Sequence, residues 1–172
     1  GEAVTLGVNT TLTSTGAGDI GFTNNVDGAK SLTINTAGVT TLGAAVGSGL
    51  GTALTSVTTD VGGSLVMNGG SVTTTGAQSY GEAVSLGADT VLTSTAGDAI
   101  SFTTTIDGAH SLTLNTAGAT TLGGAVGSGA GTALTSLTTN AGGTLAINGG
   151  IVKTTGAQSY GEAVSLGADT VL

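Results

Sequence analysis

Residues 111–126 read SLTLNTAGATTLGGAV, and residues 31–46 read SLTINTAGVTTLGAAV. In each, an apolar residue alternates with Ser, Thr or Asn for a few positions. Small residues follow, and the alternation starts again. Alternation with period two marks a strand with one face inward and the other outward. Two such beats within one phrase, recurring through the chain, predict one coil of a β-solenoid.

Composition supports this reading and narrows it. The 172 residues include 33 glycines, no proline and no cysteine; 7% are charged and 2% aromatic. So few large side chains cannot fill a wide core, but they can fill a narrow one that needs only a few Val, Leu or Ile per layer. The abundance of Thr and Val and a mean hydropathy of +0.41 argue for order rather than disorder. Proline is absent where nearly every backbone N–H is needed in a ladder. No helical stripe persists, and Gly, Thr, Ser and Val are mediocre helix formers.

The chain is also a long repeat. GEAV occurs at Gly1 and returns at Gly81 and Gly161, at equal spacing. About two thirds of positions are identical between residues 1–80 and 81–160, and residues 161–172 match 81–92 throughout. The sequence thus divides into repeat 1 (1–80), repeat 2 (81–160) and the start of a third (161–172). It reads as one continuous solenoid segment cut from a longer array.

Within each repeat similar phrases begin at Leu12, Leu32, Val57 and Val72, and again at Leu92, Leu112, Leu137 and Val152. The steps are unequal: the longest runs from Leu32 to Val57 and the shortest from Val57 to Val72, with the same order in repeat 2. A second column follows at Ile100, Thr120, Leu145 and Tyr160, and a third at Ile106, Val126, Ile151 and Leu166. These spacings predict an all-β parallel β-helix with four coils per repeat, strands stacking about 4.8 Å apart. Length varies only between the third column and the next start. The longest connectors, 47–56 and 127–136, are expected to project as loops from one corner.

One position conflicts with this pattern. Phe102, Leu122 and Ile147 occupy the same place in their phrases and should point inward, but Glu162, like Glu82 and Glu2, stands at that place in the fourth coil. A carboxylate in a dry core is costly. The expectation is a one-residue shift or bulge that turns Val164 and Leu166 inward and puts Glu162 in solvent. Tyr160 should then pack its ring and leave its hydroxyl near the surface.

The phrases GGIVKTTGAQSYGEAVSLGADTVLTST, LTLNTAGATTLGGAVG and ALTSLTTNAGGTLAINGG resemble the β-strand repeats of giant bacterial surface and secreted proteins, similar to filamentous-haemagglutinin-like and autotransporter-type adhesins. The resemblance covers the whole chain. It implies a right-handed parallel β-helix, export across the bacterial envelope, and service as a stalk or filament in adhesion or biofilm. It carries no binding residues across.

Several function classes are disfavoured by the residues themselves. A formal net charge of -8, with Lys30 and Lys153 the only Lys or Arg, argues against nucleic acid and anionic membrane surfaces, which need basic patches. The long uncharged run 31–59 is broken throughout by Gly, Ser, Thr and Asn, so membrane insertion within these residues is not expected. His110 is the only histidine; Lys30 replaces it in repeat 1, and it reads as an exposed connector residue rather than a catalytic base. Most Asp residues adjoin Gly or Ala in turns, where Asx hydrogen bonds explain them, and no calcium-binding nonapeptide is present. No catalytic, cofactor or metal constellation is expected, and the chain is not read as an enzyme.

Thr93, Thr113 and Thr138 follow successive starts and are expected to line up, with Lys153 interrupting the column. An outward Thr face is a remote route to ice binding and is more simply β-propensity. Asn115 over Asn140 is expected to stabilise the stack through side-chain hydrogen bonds. The functional expectation is a structural rod of a large extracellular bacterial repeat protein, able to self-associate end to end through open coil edges. The alternative is a module that binds a glycan or host surface through the connectors, with Gly47, Ser48, Gly49 and Thr52 and their counterparts Gly127, Ser128, Gly129 and Thr132 as the contact candidates.

Overall fold

The computed structural model describes residues 1–48, 52–129 and 132–171, and these contain no helix. The strands are β1 (Val4–Thr5), β2 (Thr10–Ser14), β3 (Ile20–Phe22), β4 (Val26–Asp27), β5 (Ser31–Thr36), β6 (Val39–Leu42) and β7 (Ser56–Thr59). Then come β8 (Ser64–Met67), β9 (Ser71–Thr74), β10 (Gln78–Tyr80), β11 (Ala83–Leu86), β12 (Thr90–Ser94), β13 (Ile100–Phe102) and β14 (Ile106–Asp107). The last are β15 (Ser111–Asn115), β16 (Ala119–Leu122), β17 (Ser136–Thr139), β18 (Thr144–Ile147), β19 (Gln158–Tyr160) and β20 (Ala163–Leu166). The phrase at 111–126 supplies β15 and β16, and its alternating residues Leu112, Leu114, Thr120 and Leu122 are all buried.

The strands stack into three parallel walls, making the chain a β-solenoid. The first wall runs from β1 and β4 through Val46 to β9, β12, β15, β17 and β19. The second is the eight-stranded sheet β2-β5-β7-β10-β13-β16-β18-β20. The third joins β3, β6, β8, β11 and β14, then continues through Val126 and Val152. The chain visits first, second and third wall in order and then rises one level.

The register corrects the coil count. On the first wall, Val4, Val26, Val46, Val72, Leu92, Leu114, Thr139 and Tyr160 form one stacked column, so the chain makes seven turns between Val4 and Tyr160. From Val4 the chain regains the first wall at Val26, Val46 and Val72. It then passes the second wall at β10 and reaches the third at Val84, the copy of Val4. Each repeat therefore fills three and two-thirds turns, not four. The shortfall arises between Val57 and Val72. That stretch leaves the second wall, crosses the third at Leu65 and reaches the first, which is two thirds of a circuit. It is too short for three walls and their corners, so the recurring phrase marks a wall rather than a turn. Two-residue slips also occur: Leu92 stacks on Leu114, not Leu112. At about 4.8 Å per level, one repeat rises about 18 Å.

A consequence is that equivalent residues change wall from repeat to repeat. Leu12 lies on the second wall and its copy Leu92 on the first; Val4 lies on the first and its copy Val84 on the third. Successive repeats are rotated by about a third of a turn about the axis.

The core is a single thin column of side chains. Leu32, Ile34, Leu65, Leu92, Ile100, Phe102, Leu114 and Leu145 are among those fully enclosed. Phe102, Leu122 and Ile147 do form one inward column, and it continues with Leu166 rather than Glu162 and is preceded by Tyr80 rather than Glu82. Tyr80 and Phe102 stack with ring centroids 5.0 Å apart at 23°, the offset geometry such pairs favour.

In the enclosed copy, Tyr80, the hydroxyl turns inward, while Tyr160, for which a hydroxyl near the surface was expected, is half-buried. Tyr80 Oη donates to Gln78 Oε1 at 2.8 Å, and Gln78 Nε2 lies 2.9 Å from Thr93 O and 3.1 Å from Thr74 Oγ1. Tyr160 Oη meets Gln158 Oε1 at the same 2.8 Å. The amide two residues back on the same inward face satisfies the hydroxyl, so the ring need not reach the surface. Burial drives the Tyr80 phenol well above its ordinary range. Tyr80→Phe leaves Gln78 Oε1 buried without its donor and is expected to cost about 1–3 kcal/mol, read as a lowered denaturant midpoint, with Tyr80→Leu costing more through the lost ring stack.

Candidate functional site

The two long connectors are the first candidates, and the parts of them among the described residues are tied to the level below. Gly47 and Gly127 are buried with φ of +66°, the left-handed turn that glycine permits. Ser48 and Ser128 are exposed, and Gly129 is half-buried. Gly49 lies outside the described residues. Thr52 Oγ1 donates to Asp27 Oδ1 at 3.1 Å, and Thr132 Oγ1 to Asp107 Oδ1 at 3.1 Å. Asp107 Oδ1 also accepts from Gly129 N at 2.9 Å. Beyond them Leu54 and Leu134 are fully buried. The far end of each connector is thus drawn back onto the Asp-Gly turn of the preceding level, and its leucine is inserted into the core. Burial of that leucine and carboxylate capping outweigh the entropy of a free loop.

The connectors sit at different corners. The first spans from Val46 on the first wall to Val57 on the second, and the other from Val126 on the third wall to Leu137 on the first. An open groove of about 470 Å³ lies beside the first connector, lined by Ala29, Ser48, Thr52, Ala53, Thr73 and Thr75.

His110 stays a connector residue. Its Nδ1 is 3.5 Å from Asp89 Oδ1, and both side chains are substantially exposed. The Asp89 carboxyl is held below its usual range mainly because Ser111 N donates to it at 2.9 Å. Asn9 does the same for Ser31 N at 3.1 Å in repeat 1, so the capping needs no charge. Among the described residues no group of three His, Cys, Asp or Glu could hold a metal ion. Among them, too, no helix is long and apolar enough to cross a membrane.

The threonine columns are rearranged by the register. Thr113 does stack on Thr138, but Thr93 lies beside Thr73 and Asn115, and the neighbour of Thr138 is Ser159 rather than Lys153. The outward column of the second wall runs Thr11, Thr33, Thr58, Ser79, Ser101, Thr121, Ala146 and Ser165. It is a single column, hydroxyl-bearing except at Ala146, not a paired T-x-T face. Asn140 Oδ1 accepts from Thr116 N at 3.0 Å, the role Asp60 plays for Thr36 N at 3.2 Å. Its stabilising bond therefore goes to the backbone of the level below, not to Asn115.

The group that sequence reasoning placed wrongly is Glu82. The alternation Gln78, Tyr80, Glu82, Val84, Leu86 keeps its inward parity through the corner, and Glu82 is only 2% exposed. Thr40 Oγ1, two levels below, donates to its Oε1 at 3.1 Å, while Oε2 is buried with no hydrogen-bond partner. Burial first, with repulsion from Asp60 adding to it and the Thr40 and Thr59 hydroxyls opposing it, pushes the carboxyl up to about 7. Ladders on both sides fix the register, and a neutral carboxylic acid can be enclosed where an ion cannot. Glu162 is half-buried, and burial raises it too, with the Thr139 hydroxyl opposing. Val164 and Leu166, expected inside, are 43% and 57% exposed, because no further turn covers them among the described residues.

Comparison with protein-family models, with curated proteins and with solved structures gave no match.

Proposed function

We propose that this chain is a rod segment of a large extracellular bacterial repeat protein of the adhesin kind, serving adhesion, surface display or fibre formation. The observation that carries the reading is the continuity of the three walls: every level is hydrogen-bonded to the next in parallel, and the chemistry is spent on the stack itself. Such a segment transmits length and stiffness. Rotation of successive repeats presents the same surface features on different sides of the rod, which suits attachment from any direction.

Within this reading the segments also join end to end. Each level pairs its strands with the levels on either side, so any terminal level of such a rod offers an unpaired edge. An open strand edge over apolar side chains is a template for a further chain.

A second reading is supported by the groove beside the first connector, whose small and hydroxyl-bearing lining suits a sugar. One experiment separates the two. In the cells that produce the protein, whole repeats are deleted, or the connectors are replaced by short turns. Attachment that weakens with repeat deletion and survives connector replacement supports the rod. Attachment lost on connector replacement alone supports the glycan or host-surface module. A protein that protease treatment of intact cells cannot reach overturns both.

A further inference from the structure

We propose that Glu82 is a proton-operated lock in the core, joining three levels of the solenoid when neutral and loosening them when ionised. The geometry sets this up. The side chain starts at the corner between β10 and β11, is enclosed, and reaches down past Thr59 and Asp60 to Thr40 on β6. It thus spans the levels of Thr40, Leu65 and Val84, which stack in that order on the third wall. From above, the register places Thr104 over Glu82, and the Thr104 hydroxyl is buried without a partner. Asp60 is the charged group that acts on the carboxyl, and it repels the ion; no basic group offsets it. The Tyr80 hydroxyl is committed to Gln78. A neutral acid there fills the space, accepts from Thr40 and offers a proton. The anion leaves a charge without solvent and without a cation beside it in the enclosed core.

The direction of the effect follows. A carboxyl bound to its proton more tightly in the folded chain than in the unfolded one adds stability that is complete below the unfolded value of 4.5. That stability is lost as pH rises through the folded value of about 7. Across that window Glu82 alone changes the folding equilibrium by up to about 300-fold. Acidification tightens the rod and neutral or alkaline medium relaxes it.

Repeat 2 contains a natural variation on the device. Asn140 stands where repeat 1 has Asp60, and Glu162 accordingly carries no such repulsion. The test is a carboxyl titration of the full chain by carbon-detected NMR, beside denaturant midpoints measured from acid to mildly alkaline pH. Glu82 should titrate near neutrality. Asp60→Asn should lower that midpoint by removing a repelling charge, and Thr40→Val should raise it by removing a hydrogen bond to the ion. Glu82→Gln should match the parent chain at acid pH, exceed it above neutrality, and lose the corresponding pH slope. A Glu82 midpoint in the ordinary glutamate range, or a Glu82→Gln variant with the parent's pH slope, overturns the proposal.

Discussion

Replacing Phe102 with alanine is expected to lower stability by about 3–5 kcal/mol. Phe102 is fully buried on the second wall, between Tyr80 one level below and Leu122 one level above. Truncation removes the largest hydrophobic contribution in that layer and the stack with Tyr80, itself worth about 0.5–1.5 kcal/mol. A thin column cannot collapse sideways to refill the space, because three hydrogen-bonded walls hold its width. In a solenoid each level touches only its neighbours, so the damage stays local. Amide protection should fall first in β10, β13 and β16. The neighbouring Ser101→Ala, on the outward face of the same strand, should change stability by less than about 0.5 kcal/mol.

Gly63→Ala is the second large effect, acting through the backbone rather than the core. Gly63 has φ of +71°, and a Cβ there would lie 1.9 Å from the carbonyl oxygen of Gly38 on the level below. That oxygen accepts the ladder bond from Ser64 N at 3.2 Å. A side chain at Gly63 must push the corner off its neighbour and break the β6–β8 pairing at its start. The left-handed conformation costs about 1–3 kcal/mol, and the lost hydrogen bond adds about 1 kcal/mol. A fall of about 2–4 kcal/mol in unfolding free energy is expected from the two together. Repeat 2 keeps glycine at the counterpart, Gly143, where the same approach to Gly118 O is 2.0 Å. Gly16 is the control: nothing lies within 4 Å of a Cβ built there, and repeat 2 carries Ala96 at that position. Gly16→Ala should leave the denaturation midpoint unchanged.

The fold class was legible in the phrase at 111–126 because alternation with period two and the absence of bulky residues leave a narrow stacked strand as the consistent solution. The pitch was not. The same apolar-Thr-apolar phrase serves all three walls, so matching Leu137 to Val152 in sequence aligns residues on different walls, whereas Leu137 stacks on Gln158. The far ends of the connectors were missed for a related reason. Their glycines suggested free loops, while the buried leucine in each, Leu54 or Leu134, decides where the segment packs. Glu82 was misplaced because the cost of a buried ion was set against the alternation, when protonation removes most of that cost and the ladders on either side leave the alternation no freedom to slip. In Tyr80 the signal was present and unread: Gln78 stands two residues back on the same face, where its amide meets the hydroxyl.

The account stands most directly on the register at the two-thirds turn, where Thr58 on β7 lies beside Ser79 on β10. Neither side chain is enclosed, so paired cysteines can be introduced at both with little disturbance. Adjacent parallel strands bring such pairs within the Cα separation that a disulfide accepts, about 4.4–6.8 Å. Under mild oxidation, Thr58→Cys with Ser79→Cys should cross-link nearly completely within one chain, and Thr58→Cys with Thr73→Cys should remain free thiols. Cross-linking of the 58–73 pair instead would restore four coils per repeat and contradict the rotation of one repeat against the next.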